Sequence, residues 1–268
     1  MQRSPRWPKT TSSTAMHLTR KRDLLKSEDL PSQTHLIIPD IHHKIQIVEE
    51  IRQSHPGIPA IFLGDYFDDF YDTPDDMRAT CRWLRNSLEN TSDVFLIGNH
   101  CFAYLSYELG VRWGSCSGWT PAKHGVFHEY FPGDLLLRQC RWMVDCQDWL
   151  ITHAGVSNDL YRAFSKRRSK DDIFEWVANA QNALLAGVAH PALLAGFDRG
   201  GSQKTGGILW CDWNSFRPIP QFRQILGHTP GNDVRFKRGD VCLDTNLKDY
   251  GLLEDGKLTI LPAGTHVR

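Results

Sequence analysis

Three features of this sequence predict an α/β fold. From residue 34 onward, short apolar runs alternate with amphipathic stretches, the pattern of strands interleaved with helices. Several of those runs end abruptly in Gly, Asp, Asn or His, as strands do where a sheet gives way to functional loops. With 268 residues and 41% hydrophobic content, the chain can also bury one sizeable core, so one main domain is expected over residues 34–268.

Residues 1–33 are rich in Ser, Thr, Pro and basic side chains and lack a sustained apolar period, which predicts a flexible basic tail. Its Arg20-Lys21-Arg22 cluster is the one feature that would suit nucleic acid, although such terminal runs are usually solvated. His35-Leu-Ile-Ile38 reads as the first strand. Residues 44–53 then place Ile45, Val48 and Ile51 at helical spacing, and Ala60-Ile-Phe-Leu63 is a second strand. Thr73-Pro74-Asp75-Asp76 is a helix start with an N-cap threonine, proline at the first position and acids in the first turn; Met77, Cys81, Leu84 and Leu88 form its apolar face.

Val94-Phe-Leu-Ile97 is a third strand. Residues 101–139 form an aromatic-rich insertion that either walls a site or fills core. Trp149-Leu-Ile-Thr152 is a strand, 171–186 a helix opened by two aspartates, and 200–207 a Gly-rich loop. Five short runs follow at 224–226, 234–236, 241–243, 251–253 and 258–261, with Asp255-Gly256 as a hairpin turn; they predict a second, more antiparallel sheet.

Composition excludes several classes. The formal net charge is zero, so attraction to phosphate must be local rather than global. No run of 18 apolar residues occurs and the N-terminus lacks a secretory pattern, so no membrane association and a cytoplasmic location are expected. Seven cysteines without a CxxC pair fit reduced, buried thiols better than disulfides or a thiolate zinc site.

Five times a strand runs straight into a ligand-type residue: LIIPDIHH, IFLGDYFDD, FLIGNH, WLITHAG and QILGHTP. Each cluster alone has a bland explanation, a capping aspartate or a structural histidine. Together they offer only carboxylate, amide and imidazole donors, each at the same place relative to its strand, which predicts a metal site on one rim of the fold. Oxygen and nitrogen donors of this kind suit Mn, Fe and Zn. Two divalent ions roughly 3.5–4 Å apart can supply an ionised water and neutralise phosphoryl charge, which is what phosphate-ester hydrolysis needs at neutral pH.

These blocks, Asp40-Ile-His42, Gly64-Asp65-Tyr-Phe-Asp68, Gly98-Asn99-His100, His153-Ala-Gly155 and Gly227-His228, resemble in order the signature of the calcineurin-like metallophosphoesterases. Gly227-His228-Thr229-Pro230, Leu243-Asp-Thr245 and the chain's ending look most like the branch with protein Ser/Thr phosphatases, diadenosine tetraphosphatases and phage phosphatases. The resemblance spans residues 34 to about 262. It implies two facing mixed β-sheets flanked by helices, an αββα sandwich of the α/β (α+β) class with a dinuclear metal site at the strand ends. It further implies that Asp40, His42 and bridging Asp65 hold one ion and that Asp65, Asn99, His153 and His228 hold the other. Manganese comes first, with iron or zinc as alternatives. A metal-bridging hydroxide would be the nucleophile, with His100 as general acid and Asp68 orienting it.

The implied activity is phosphomonoester hydrolysis, with a nucleotide or a phosphoprotein among the conceivable substrates. The alternatives are a nucleotide phosphodiesterase or dinucleoside polyphosphate hydrolase and, less favoured, a non-catalytic scaffold. The branch's usual Asp-Arg-Gly phosphate clamp is replaced by Asp68-Asp69-Phe70, Pro39 and His43 stand where glycines are usual, and Cys101 where Glu is. Arg199 and Lys204, in Asp198-Arg-Gly-Gly-Ser-Gln-Lys-Thr-Gly-Gly207, are the candidate replacements for substrate binding. Trp210-Cys-Asp-Trp213 resembles a segment that lies near the site in that branch.

Overall fold

The computed structural model describes residues 30, 33–111, 113–114 and 116–264; the tail expected over 1–33 falls outside these apart from Leu30 and Gln33. Among the described residues, the strands in chain order are β1 (His35–Ile38), β2 (Ala60–Phe62), β3 (Val94–Phe95), β4 (Met143–Cys146), β5 (Trp149–Thr152), β6 (Arg223–Leu226), β7 (Arg235–Lys237), β8 (Asp240–Cys242), β9 (Asp249–Glu254) and β10 (Lys257–Pro262). The helices are α1 (Ile45–Ser54), α2 (Pro74–Asn90), α3 (Asn99–Glu108), α4 (Pro121–Tyr130), α5 (Leu135–Gln139), α6 (Asn158–Phe164) and α7 (Lys170–Leu185).

The strands form two five-stranded mixed sheets, in the orders β10-β9-β1-β2-β3 and β4-β5-β6-β8-β7. β1, β2 and β3 run parallel, and so do β5, β6 and β8, while β9 pairs antiparallel with β1 and β10, β4 with β5 and β7 with β8. Strand alternation explains how the sheets pack. Ile37 and Ile61 share an apolar cluster with Val144, Ile151, Ile225 and Val241 of the opposing sheet. Their neighbours Leu36, Ile38 and Phe62 point the other way and pack with Val48, Ile51, Met77, Cys81 and Leu84 of α1 and α2. Apolar residues on both faces are why these central strands read as unbroken hydrophobic runs.

The helix start at Thr73 is a full capping box: Thr73 accepts from the Asp76 amide, and the Asp76 carboxylate accepts from the Thr73 amide, with Pro74 at the first position. The 101–139 segment is helical and mostly core. Tyr104, Phe127 and Phe131 are fully buried, and Tyr107 stacks on Trp119 at 4.0 Å between centroids.

The C-terminal strands differ from the sequence expectation. Instead of forming one antiparallel sheet, β9 and β10 return to the first sheet, where β9 pairs with β1. The hairpin between them turns at Asp255-Gly256, with φ of +48° and +75°, as expected. Only such local turns have a sequence signature; the link between sheets at 243–248 has none. No helix among the described residues is long and apolar enough to cross a membrane.

Candidate metal centre

Parallel pairing brings the predicted residues together. β1 meets β2 with Ile38 opposite Phe62, and β5 meets β6 with Ile151 opposite Ile225, so these strands end at a common level. The chain then delivers Asp40, Asp65, Asn99, His153 and His228 within four residues of a strand end. Backbone amides fix them across the two sheets. The His228 amide donates to Asp40 Oδ1 at 3.0 Å, the His100 amide to Asp65 Oδ1 at 2.8 Å, and the Gly227 amide to the His153 carbonyl at 2.8 Å.

The glycines that precede Asn99 and His228 have a steric cause. A Cβ on Gly98 would stand 2.1 Å from Asp65 Oδ1, and one on Gly227 would stand 2.1 Å from Asp40 Oδ1, so any other residue displaces a carboxylate. The backbone is also held in sparsely populated conformations here, with positive φ at His42 (+44°), His43 (+66°), Asp65 (+47°), Asp68 (+66°) and His228 (+68°). Such conformations cost of order 1–3 kcal/mol each and persist where the surroundings impose them, which marks functional sites.

Among the described residues three groups of metal-ligating atoms emerge, Asp40–His42–Asp65, Asp65–His153–His228 and, beside them, Asp68–His100–Cys116, and Asp65 belongs to the first two. Asn99 joins the second: its Oδ1 is 2.9 Å from His153 Nε2 and 2.7 Å from His228 Nδ1. The imidazoles are oriented by backbone carbonyls. His153 Nδ1 donates to the Leu63 carbonyl at 2.9 Å and His42 Nδ1 to the Asp68 carbonyl at 2.6 Å, which leaves each Nε2 lone pair for the centre.

The buried charges of this cluster lean on one another. Burial, reinforced by the Asp244 and Asp65 carboxylates, raises Asp40 well above the ordinary carboxylate range. Burial opposes a charge on His153, yet Asp65 and Asp40 outweigh it and raise that imidazole to about 9. Burial likewise disfavours the Asp65 charge, but His153 and His100 hold its carboxyl far below the usual range. Burial, with His153 and Arg199 nearby, keeps His228 neutral. Buried carboxylate, amide and imidazole lone pairs aimed at shared points are a donor set that fits divalent metal ions.

Beside the cluster, His100 Nδ1 donates to Asp68 Oδ2 at 2.9 Å. Asp68 is 2% exposed and receives two further donors on Oδ1, Tyr104 Oη at 2.6 Å and Lys123 Nζ at 2.7 Å. Burial alone would raise the Asp68 carboxyl; bonds from His100, Lys123 and Tyr104 overcome that and lower it.

These groups open onto a cavity of about 640 Å³, lined among others by His42, Asp65, Asn99, His100 and His228. Arg199 also lines it, held by Asp212 at 2.9 Å, so the Trp210–Trp213 segment reaches the site through its aspartate. Lys204 does not line it; that side chain is 84% exposed and lies 3.9 Å from Asp159. The Gly-rich loop packs rather than cradles: a Cβ on Gly201 would be 1.9 Å from the Ala195 carbonyl and one on Gly207 2.1 Å from that of Ala192. Among the described residues of 101–139, Ser117 and Gly118 line the cavity and the aromatic side chains do not.

Sequence reasoning missed Lys44, Lys248, Phe70 and Asp244 as lining residues, and Lys123, Tyr104 and Cys116 behind His100. Lys123 alone carried a signal, a lysine in the first turn of a helix, against the helix dipole.

The fold and site define a metal-dependent phosphoester hydrolase. The family model for calcineurin-like phosphoesterases matches residues 34–232, and the chain belongs to that family. A cold-active protein-tyrosine phosphatase from a psychrophilic Shewanella species shares the fold, with a TM-score of 0.59 and 14% identity over 96% of this chain and 85% of that one. A candidate diadenosine tetraphosphatase shares it with a TM-score of 0.50 and 14% identity over 87% of this chain and 95% of that one. No curated protein matches the sequence.

Proposed function

We propose that this chain is a phosphomonoesterase in which Asp40, His42 and Asp65 hold one divalent ion and Asp65, Asn99, His153 and His228 the other. The observation that carries this reading is the membership of Asp65 in both donor groups. Two ions so held, manganese first among the candidates, would activate water and neutralise charge on the phosphoryl oxygens.

The chain's own residues do the rest. Asp65, the side chain common to two donor groups, would be shared by both ions. His100, with Nδ1 committed to Asp68, keeps Nε2 toward the cavity and gives its proton to the departing oxygen. Arg199, anchored by Asp212, takes the phosphoryl oxygens in place of the absent Asp-Arg-Gly arginine. The tyrosine-phosphatase neighbour's activity is of the same monoester type.

A second reading, hydrolysis of a nucleotide anhydride or diester, is favoured by Phe70, 95% exposed on the cavity rim, and by Lys44 and Lys248 along its lining. The diadenosine-type neighbour is in keeping with it. Turnover of an aryl phosphate, its bis-aryl diester and a dinucleoside polyphosphate with manganese separates the two; turnover of the diester alone would refute the monoesterase. His100→Asn tests the acid: metal content is retained while the rate on poor leaving groups falls by about 10²–10⁴. Unchanged turnover would remove His100 from the mechanism.

A further inference from the structure

Behind the His100–Asp68 pair lies a second layer of buried polar groups that the hydrolysis reading does not use. Lys123 enters from the first turn of α4 with its side chain 4% exposed. Its Nζ donates to Asp68 Oδ1 at 2.7 Å and to Asp72 Oδ1 and Oδ2 at 3.0 and 2.9 Å, and both carboxylates are almost fully buried. On the far side, His43 Nε2 lies 3.1 Å from Asp72 Oδ2 and accepts from the Asp68 amide at 3.0 Å, while His43 Nδ1 lies 2.7 Å from Thr80 Oγ1.

The division of labour on Asp68 is specific. Oδ1 is taken by Lys123 and Tyr104, Oδ2 addresses His100 Nδ1, and Gly118 presses on the side chain so closely that a Cβ there would be 2.8 Å from Asp68 Cβ. A carboxylate can swap its two oxygens by rotation about its last bond. Two donors on Oδ1, one of them charged, remove that freedom.

We infer that Lys123 is a positioning residue for the leaving-group acid: it pins the Asp68 carboxylate so that Oδ2 faces His100 and the imidazole presents Nε2 to the cavity. The inference rests on the proposed role of His100. Lys123 does not line the cavity, so its removal acts on kcat and not on KM. It acts only where protonation of the leaving group limits the rate.

The test uses the full-length, manganese-loaded protein with phenyl phosphate, a poor leaving group, and 2,4-dinitrophenyl phosphate, a good one. Lys123→Met lowers kcat for phenyl phosphate by roughly 10–100-fold, within the range of a misplaced general acid. KM and kcat for the dinitrophenyl ester stay near wild type, and Lys123→Arg restores most of the loss. Because Lys123→Met leaves two buried carboxylates short of a partner, Lys123→Met/Asp72→Asn is assayed beside it; the leaving-group bias persists there. Equal losses on both substrates, no loss on either, or failure of both variants to fold would each overturn the proposal. His100→Asn separates the two ideas. If it shows the bias and Lys123→Met does not, only the positioning role falls; if it shows no bias, the acid assignment falls first.

Discussion

Asp65 sits where two donor groups share one side chain, and its backbone and side chain are both committed: its carbonyl accepts from the Ile41 and His42 amides, and its Oδ1 accepts from the His100 amide. Replacing one carboxylate oxygen by an amide removes the bridging charge while leaving these backbone contacts in place. Asp65→Asn is therefore expected to lose both ions yet stay folded, as read by elemental analysis beside circular dichroism; retention of two ions would contradict the bridging role. At this scale most of the candidate site was legible. Asp40, His42, Asp65, Asn99, His153 and His228 each follow a strand at short range, and His100 and Asp68 belong to the same motifs. Lys44 and Tyr104 were not legible as site residues, and Lys123 showed only its unfavourable place in the first turn of a helix. They reach it from helix termini or helix faces through tertiary packing alone, and single residues in helices look like any other lysine or tyrosine.

At the scale of elements, the glycines before Asn99 and His228 decide how closely two strand ends approach. Gly227→Ala puts a methyl group against Asp40 Oδ1, so weakened manganese binding is expected with little change in secondary structure, and titration calorimetry would read it. Unchanged affinity would show that the carboxylate can move without cost.

A pH effect belongs to β8. Its first residue, Asp240, is 1% exposed and accepts from the Gln224 amide at 2.7 Å, and burial raises its carboxyl to about 7. An unfolded aspartate ionises near pH 3.8, so between that value and 7 the folded state binds more protons and stability falls as pH rises. Asp240→Asn lacks this loss. In urea melts its stability relative to wild type improves by roughly 2–3 kcal/mol from pH 5 to pH 8. A constant difference would mean that Asp240 does not titrate there. Among the elements themselves, β1, β2, α1, α2 and β5 were legible from periodicity and caps. β4 and α6 were not: Asp145 interrupts the apolar run of Met143-Val-Asp-Cys146, and the seven residues of α6 hold too few turns to show a period.

At the scale of the whole molecule, the site exists because two sheets with parallel centres present their strand ends together. One contributes Asp40, Asp65 and Asn99, the other His153 and His228. The face-to-face contact of Ile37 and Ile61 with Val144, Ile151 and Ile225 holds those two halves in register. Neither half alone has a complete donor set. The α/β class was legible from alternating runs, but the return of β9 and β10 to the first sheet was not, because strand order between sheets leaves no local mark.

The most direct test of the account is anomalous diffraction from a crystal soaked in manganese and phosphate. Two peaks roughly 3.5–4 Å apart are predicted, one on each side of the Asp65 carboxylate, with phosphate across both. A single ion, or ions bound away from Asp65 while His153 and His228 remain without one, would contradict it.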